Sequence, residues 1–172
     1  MSLTLDVEVV FYPELLASPE QQAGILQKLA DFSPVLEQRI GPVVEEEQAE
    51  NFATRNWGGW AALAPSTVRE KEVLGYGGRP DLVREGTLQA AFVPGMPGHK
   101  FLVSPNSLIV GVYGDVVPYA DELARGDPAR HLPPRVLITL RPGTIDAIIA
   151  LLLDWIGGGD AVRVYANAPI EH

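Results

Sequence analysis

Leu3-Thr4-Leu5-Asp6-Val7-Glu8-Val9 alternates apolar and polar positions with period two, which predicts a strand with one buried face. Ser18-Pro19-Glu20-Gln21 then combines an N-cap hydroxyl, a proline at the first helical position and a glutamine at the capping-box site. Ile25, Leu26, Leu29 and Phe32 follow at helical spacing, so a helix is predicted over 19–31. Ser33-Pro34 restarts the chain. Val35, Leu36, Ile40, Val43 and Val44 predict a second helix, kinked or broken at Gly41-Pro42 and continuing through Glu45-Glu46-Glu47 to Phe52.

Residues 51–65 read as an aromatic loop centred on Trp57-Gly58-Gly59-Trp60. Thr67-Val68-Arg69-Glu70 has the capping-box pattern of a short helix ending near Gly75, and residues 81–91 suggest another short helix. The period then changes. Residues 100–103, 107–113 and 135–140 are rich in branched side chains and bounded by turn signals, with Pro105-Asn106 set for a hairpin. Thr144 is placed to cap a last helix over 145–156, stopped by Gly157-Gly158-Gly159, and Ala161-Val162-Arg163-Val164-Tyr165 reads as a final strand before a loose tail. The order strand, helices, strands, helix predicts an α+β fold: a small antiparallel sheet packed against N-terminal helices and a C-terminal helix. One domain is expected over 1–160, with a C-terminal strand and tail over 161–172.

Composition narrows the class. Of 172 residues 47% are hydrophobic and 20% charged, enough apolar surface for a packed core and too much for global disorder. The absence of cysteine excludes disulfides, thiolate metal sites and cysteine nucleophiles together. The first residues carry no basic region and no unbroken apolar stretch, so a signal peptide is not expected. The longest apolar run, 147–153 with Trp155 and Ile156, falls short of the ~20 residues of a membrane span. A soluble protein is expected. The net charge of −9 opposes tight wrapping of nucleic acid, because phosphate binding needs a positive surface.

Candidate chemistry is sparse. Glu45-Glu46-Glu47 and the pair Asp121/Glu122 offer carboxylates for acid–base or metal roles. Consecutive helical residues point about 100° apart, so a solvated helix face is the plainer reading of the glutamates. His99, His131 and His172 lack the i, i+4 partner of a helical zinc pair, and the internal two read as surface or turn residues. No serine has the flanking glycines of a nucleophile elbow. The glycine runs at 75–78 and 157–159 lack the setting of a phosphate cradle and read as hinge and linker. Arg125, Arg130, Arg135 and Arg141 form a loose basic cluster around Pro128 and Pro133-Pro134, equally open to loop solvation and to an interface. Trp57 and Trp60 read as core or subunit anchors ahead of a ligand platform. No catalytic, cofactor-binding or metal constellation emerges.

Four short blocks, in order, resemble the phage virion morphogenesis family, which includes the tail-completion proteins of Mu-like and P2-like phages and is similar to the neck proteins of long-tailed phages. Phe52 and then Trp60-Ala61-Ala62-Leu63, Thr67 and Lys71 are similar to its W-x-x-L-x-x-x-T-x-x-x-K. Gly86-Thr87-Leu88 is like its G-x-L. Leu108-Ile109-Val110-Gly111 with Tyr119-Ala120 and Gly126 resembles v-x-v-G … Y-A with a glycine seven residues after the tyrosine. Pro133-Pro134-Arg135-Val136-Leu137-Ile138 is similar to P-A-R-x-F-L. Leu123 stands where many members carry histidine, which removes any role for such a histidine here.

The resemblance implies a structural virion protein, not an enzyme, without cofactor. It would act in tail completion or head–tail joining as a ring at the neck, a hexamer in the virion. Its partners would be copies of itself, tail tube or terminator proteins and head–tail adaptors, with no membrane and with DNA at most passing through an acid-lined lumen. It would reside in the virion after assembly in the bacterial host cytoplasm. Trp57, Trp60, Tyr119, Arg125, Arg130, Pro134 and Arg135 are the expected subunit or partner contacts. Leu63, Thr67, Lys71, Gly86, Leu88, Gly111, Ala120, Gly126 and Leu137 are expected to keep the fold. Two alternatives stand beside this: a tail-terminator or head-closure component, and a small cytoplasmic enzyme using Glu45–Glu47 or Asp121/Glu122.

Overall fold

A computed structural model describes the chain except Ala17, Arg84, Ala168, Pro169 and His172, and describes only the main chain of Arg130, Ile170 and Glu171. The fold is α+β, as its patterning predicts. Strand β1 (Ser2–Phe11) leads to helix α1 (Pro19–Ala30), where the Ser18 hydroxyl accepts the Gln21 N–H at 3.2 Å, so the predicted cap forms. A short helix α2 (Ser33–Val35) runs through a π-turn (Leu36–Ile40) into α3 (Gly41–Ala53). The predicted kink at Gly41-Pro42 is therefore a widened turn instead of a break. Pro42 has no N–H to donate, and the Gly41 N–H reaches back five residues to the Leu36 carbonyl, so the helical path continues.

After helices α4 (Pro65–Val73) and α5 (Thr87–Ala90), β2 (His99–Ser104) and β3 (Ser107–Val112) form the expected hairpin. Helix α6 (Ala120–Arg125) precedes the long α7 (Pro142–Ile156), and β4 (Val162–Asn167) and β5 (Ile170–Glu171) end the chain. All strands are antiparallel in the order β2-β3-β1-β4, with β5 also on β1. Residues 2–6 of β1 pair with β3, and residues 6–11 pair with β4. The strand expected after residue 160 is thus built into the sheet beside its first strand. Leu3 and Leu5, Leu108, Val110 and Val112, and Val162 and Val164 project from it into one core with Leu36, Ile40 and Val44, and with Ile148, Leu152 and Ile156 of α7.

Residues 135–140, predicted as a strand, form none and bend at Ile138. Side chains of α3 take the place of a partner strand. The Gln48 amide bonds Thr139 in both directions, Nε2 to its carbonyl at 2.7 Å and Oε1 from its N–H at 3.0 Å. Asn51 Nδ2 donates to the Leu137 carbonyl at 2.8 Å, and Trp60 Nε1 to the Val136 carbonyl at 2.8 Å. Branched residues and flanking prolines gave the segment its strand signature; its partners lie some ninety positions away in a helix.

Local signals failed at three further points. Helix α4 begins at Pro65, so Thr67 lies within its first turn and caps nothing. Helix α7 begins at Pro142, and Thr144 turns its hydroxyl to Glu47 Oε2 at 2.8 Å. Over 81–91 only Thr87–Ala90 is helical, because Gly86 adopts φ 93°, a left-handed conformation that starts the helix there.

Two outcomes follow from this packing. Asn51→Ala is expected to lower unfolding stability by about 1–3 kcal/mol with an unchanged denaturant slope, since it leaves the buried Leu137 carbonyl unpaired. Helix α4 has no buried residue, whereas α3 and α7 each bury several, so amide exchange is expected to be fastest in α4 and slowest in α3 and α7.

Candidate functional site

Beyond Ala53 the main chain turns left-handed for four residues, with φ of 59° at Arg55, 55° at Asn56, 50° at Trp57 and 85° at Gly58. For each of the three that are not glycine this costs about 1–2 kcal/mol, so the turn must be held from outside. Asn56 N–H donates to the Asn51 carbonyl at 2.7 Å, Trp57 N–H to Thr54 Oγ1 at 3.0 Å, and Trp60 N–H to the Arg55 carbonyl at 3.1 Å. Trp60 is buried edge-on against Phe52, and Arg55 is ion-paired with Asp81. The turn throws the chain out of the core, and α4 follows as a wall standing off the body.

Between that wall, the 82–88 segment and α6 lies an open groove of about 620 Å³. This size is ordinary for a ligand or peptide site. Leu63, Leu74, Leu82, Leu88, Val116 and Leu123 make it apolar, Tyr119 stands at the α6 side, and Glu70 and Glu85 supply negative charge. Lys71 lines it too, but its ammonium donates to the Arg79 and Pro80 carbonyls at 2.9 and 2.8 Å, closing the 75–80 turn against α4. Leu74, Val116 and Tyr119 remain 44%, 38% and 42% exposed, so the groove is an apolar surface open to solvent.

The groove gathers motif residues that are far apart in sequence. Leu63, Thr67 and Lys71, then Gly86 and Leu88, then Tyr119 all line it. The remaining motif residues brace it from behind. Arg135 is buried, its guanidinium donates to the Ala61 carbonyl at 2.8 Å, and its N–H donates to the Leu123 carbonyl at 3.0 Å. Gly126 has φ 71° and leaves no room for a Cβ, which would sit 2.6 Å from Pro134 N. Gly111 is equally tight, with a would-be Cβ 2.6 Å from the Met1 carbonyl oxygen. Ala120 and Leu137 are in the core.

The expected contact residues therefore divide. Trp60 and Arg135 are buried within the chain and offer no side-chain surface to a partner, which corrects their assignment. Desolvation lowers the Arg135 pKa, Asp81 draws it back up and Arg55 lowers it again. Tyr119, Arg125 and Pro134 are exposed, and Trp57 is half-buried under the Arg141 guanidinium, 4.5 Å from its ring centre. The side chain of Arg130 lies outside the described residues. The basic cluster disperses, with Arg135 buried, Arg141 bound to carboxylates of α3, and Arg125 3.7 Å from Asp121.

Of the three glutamates only Glu46 is exposed as a solvated face requires; Glu45 is half-buried and Glu47 buried. Glu47 is buried and accepts from the Arg141 N–H, Nε and NH2, each at 2.9 Å, and from Thr144. Glu50 takes the same Arg141 NH2 at 2.7 Å. Glu45 meets His99 Nε2 at 2.9 Å at the start of β2, and the His99 side chain is largely buried and not the surface histidine expected. Burial raises the Glu45 pKa, and His99 opposes that rise. Glu45 and Glu47 thus engage different partners and neither lines the groove, and Asp121 lies 3.0 Å from the Met1 amino group. His131 sits exposed in a turn with φ 54°, and His172 is outside the described residues. Among the described residues no group of three or more His, Asp or Glu is placed to hold a metal ion, and no helix is long and apolar enough to cross a membrane.

Sequence reasoning missed the groove because its lining comes from three separate stretches of chain, 63–76, 82–88 and 116–123. The signal that pointed to it was the ordered set of motif blocks. No protein-family model, characterised protein or solved structure matches the chain.

The Glu47 cluster generates a pH dependence. Burial raises the Glu47 pKa, but hydrogen bonds from Arg141 and Thr144 and the Arg141 charge outweigh that and hold it below the ordinary value. With the folded pKa depressed, the contribution is present above the unfolded value of about 4.3 and is lost as pH falls through the folded one. Glu47→Gln is expected to lower stability at neutral pH by about 1–3 kcal/mol. It is also expected to flatten the decline below pH of about 4.3, measured by chemical denaturation at stepped pH.

Proposed function

We propose that this chain is a structural virion protein of a tailed phage that acts in tail completion or head–tail joining, as a ring at the neck. The observation supporting this most is that the four motif blocks meet in space. Ala61 and Trp60 of the first are tied to the fourth, the Ala61 carbonyl accepting from the Arg135 guanidinium and Trp60 Nε1 donating to the Val136 carbonyl. Gly86 and Leu88 of the second and Tyr119 of the third face the first across the groove, and Gly126 of the third abuts Pro134 of the fourth. A set of weak motifs that assembles one exposed apolar site behaves as a docking site and its frame. The catalytic alternative lacks comparable support: the described lining residues include two separate glutamates and no histidine or serine.

A closed ring needs head-to-tail contacts, hence two different patches per subunit. With Trp60 and Arg135 buried and Tyr119 lining the groove, the exposed residues left for such contacts are Arg125 and Pro134, with Trp57 at the edge. The experiment is sedimentation of the purified protein with phage tails assembled without it. Co-sedimentation, with a ring seen by electron microscopy at the head-proximal end of the tail, is the expected outcome. Protein that stays in the supernatant with tails and with filled heads alike would remove this assignment.

A further inference from the structure

We propose that the groove beside α4 seats a separate partner chain, which enters with an apolar segment flanked by lysine or arginine, and that it is not a contact between copies of this chain. This rests on the assembly role above and names the partner chemistry of that same site. Beneath its rim the groove is apolar, and its carboxylates, Glu70 and Glu85, are both exposed. Lys71, the one cation among the described lining residues, points its ammonium at two main-chain carbonyls and serves the wall. An acidic rim over an apolar floor complements a segment with apolar anchors and basic flanks. Tyr119 at the rim supplies an aromatic contact of the kind enriched in interface cores.

Charge also argues against self-docking. The formal net charge is −9, and the chain's cations are largely engaged at home. Arg39 pairs with Asp154, Arg55 with Asp81, and Arg141 with Glu47 and Glu50, while Arg135 is buried. Lys28 donates to the Trp155 and Ile156 carbonyls at the end of α7. The groove lies near the Ser2 end of β1, through the Met1–Asp121 contact with α6. At the Phe11 end, one strand length or roughly 30 Å away, Leu15 and Leu26 are 60% and 55% exposed. The exposed Glu14 and Glu20 stand close to these leucines in the chain, so seating either leucine against Glu70 and Glu85 would bring like charges together.

The test is fluorescence anisotropy of a labelled helical peptide of leucine and lysine titrated with the full chain. Saturable binding is expected, with no binding of the leucine–glutamate counterpart. Reversing Glu70 and Glu85 together to lysine should weaken the leucine–lysine peptide at least about tenfold and admit the leucine–glutamate one. Reversing the exposed, distant Glu20 and Glu37 should change affinity less than about twofold. Tyr119→Asp should abolish binding of the leucine–lysine peptide at an unchanged melting temperature. Equal weakening by the distant pair would show a response to net charge alone and would overturn the proposal. So would self-association that Tyr119→Asp abolishes in a protein that binds neither peptide. Peptide binding needs no virion component, so failure to join tails would remove the assembly role and leave this result intact. The reverse pattern would remove this assignment alone.

Discussion

Glu47, Gln48 and Asn51 sit on one face of α3 and hold the chain from Arg135 to Arg141, and the rest of the molecule is arranged around that grip. They are nearly inaccessible to water, and their buried polar atoms, Asn51 Oδ1 apart, find partners inside. Gln48 treats Thr139 as a neighbouring strand would, bonding both its N–H and its carbonyl. Glu47 binds Arg141 and Thr144 and so fixes the first turn of α7, where a carboxylate also complements the helix dipole. Asn51 and Trp60 fix residues 136 and 137, and through Trp60 the left-handed turn that launches α4. The core, the last helix and the groove wall are thus positioned by one row of side chains. Buried polar networks of this sort specify a single arrangement because a slip of one residue would leave several groups unsatisfied at once.

This also marks the limit of what sequence could disclose. Strand β1, helix α1, the hairpin and the course of α7 were legible because their causes are local: alternation, a cap, a two-residue turn, a glycine stop. Residues 135–140 looked like a strand because branched residues favour extended backbone whatever completes their hydrogen bonds. Thr67 and Thr144 looked like caps, yet proline two residues earlier set both helix starts. Three consecutive glutamates on a helix suggested solvent, and only a distant arginine explains why the third is buried. Trp60 and Arg135 drew attention as contact residues for the same chemical reasons that make them good internal ties.

The groove combines features usually kept apart in a free subunit. Its wall contributes nothing to the core, Val73 on that wall is 86% exposed, and its apolar floor is left open. Stability has been placed elsewhere, in the α3–α7 side of the molecule, which leaves the α4 side free to adapt to what it meets. On the proposed assembly role, such a division would give one part that keeps its shape and another that takes its final shape on contact.

The π-turn at Leu36–Ile40 bears on how this lineage can tolerate changes in length. A residue added to an ordinary α-helix rotates everything beyond it by about 100° relative to everything before it. Here the widened turn takes up the surplus locally, so that Val35 and Leu36 on one side and Val44 and Gln48 on the other all stay buried. The helix therefore holds one residue of slack in its backbone at a single place. Loss of a residue within that turn would tighten it to regular α geometry and keep both faces in phase. The same deletion a turn later would swing Glu47, Gln48 and Asn51 away from the chain they hold.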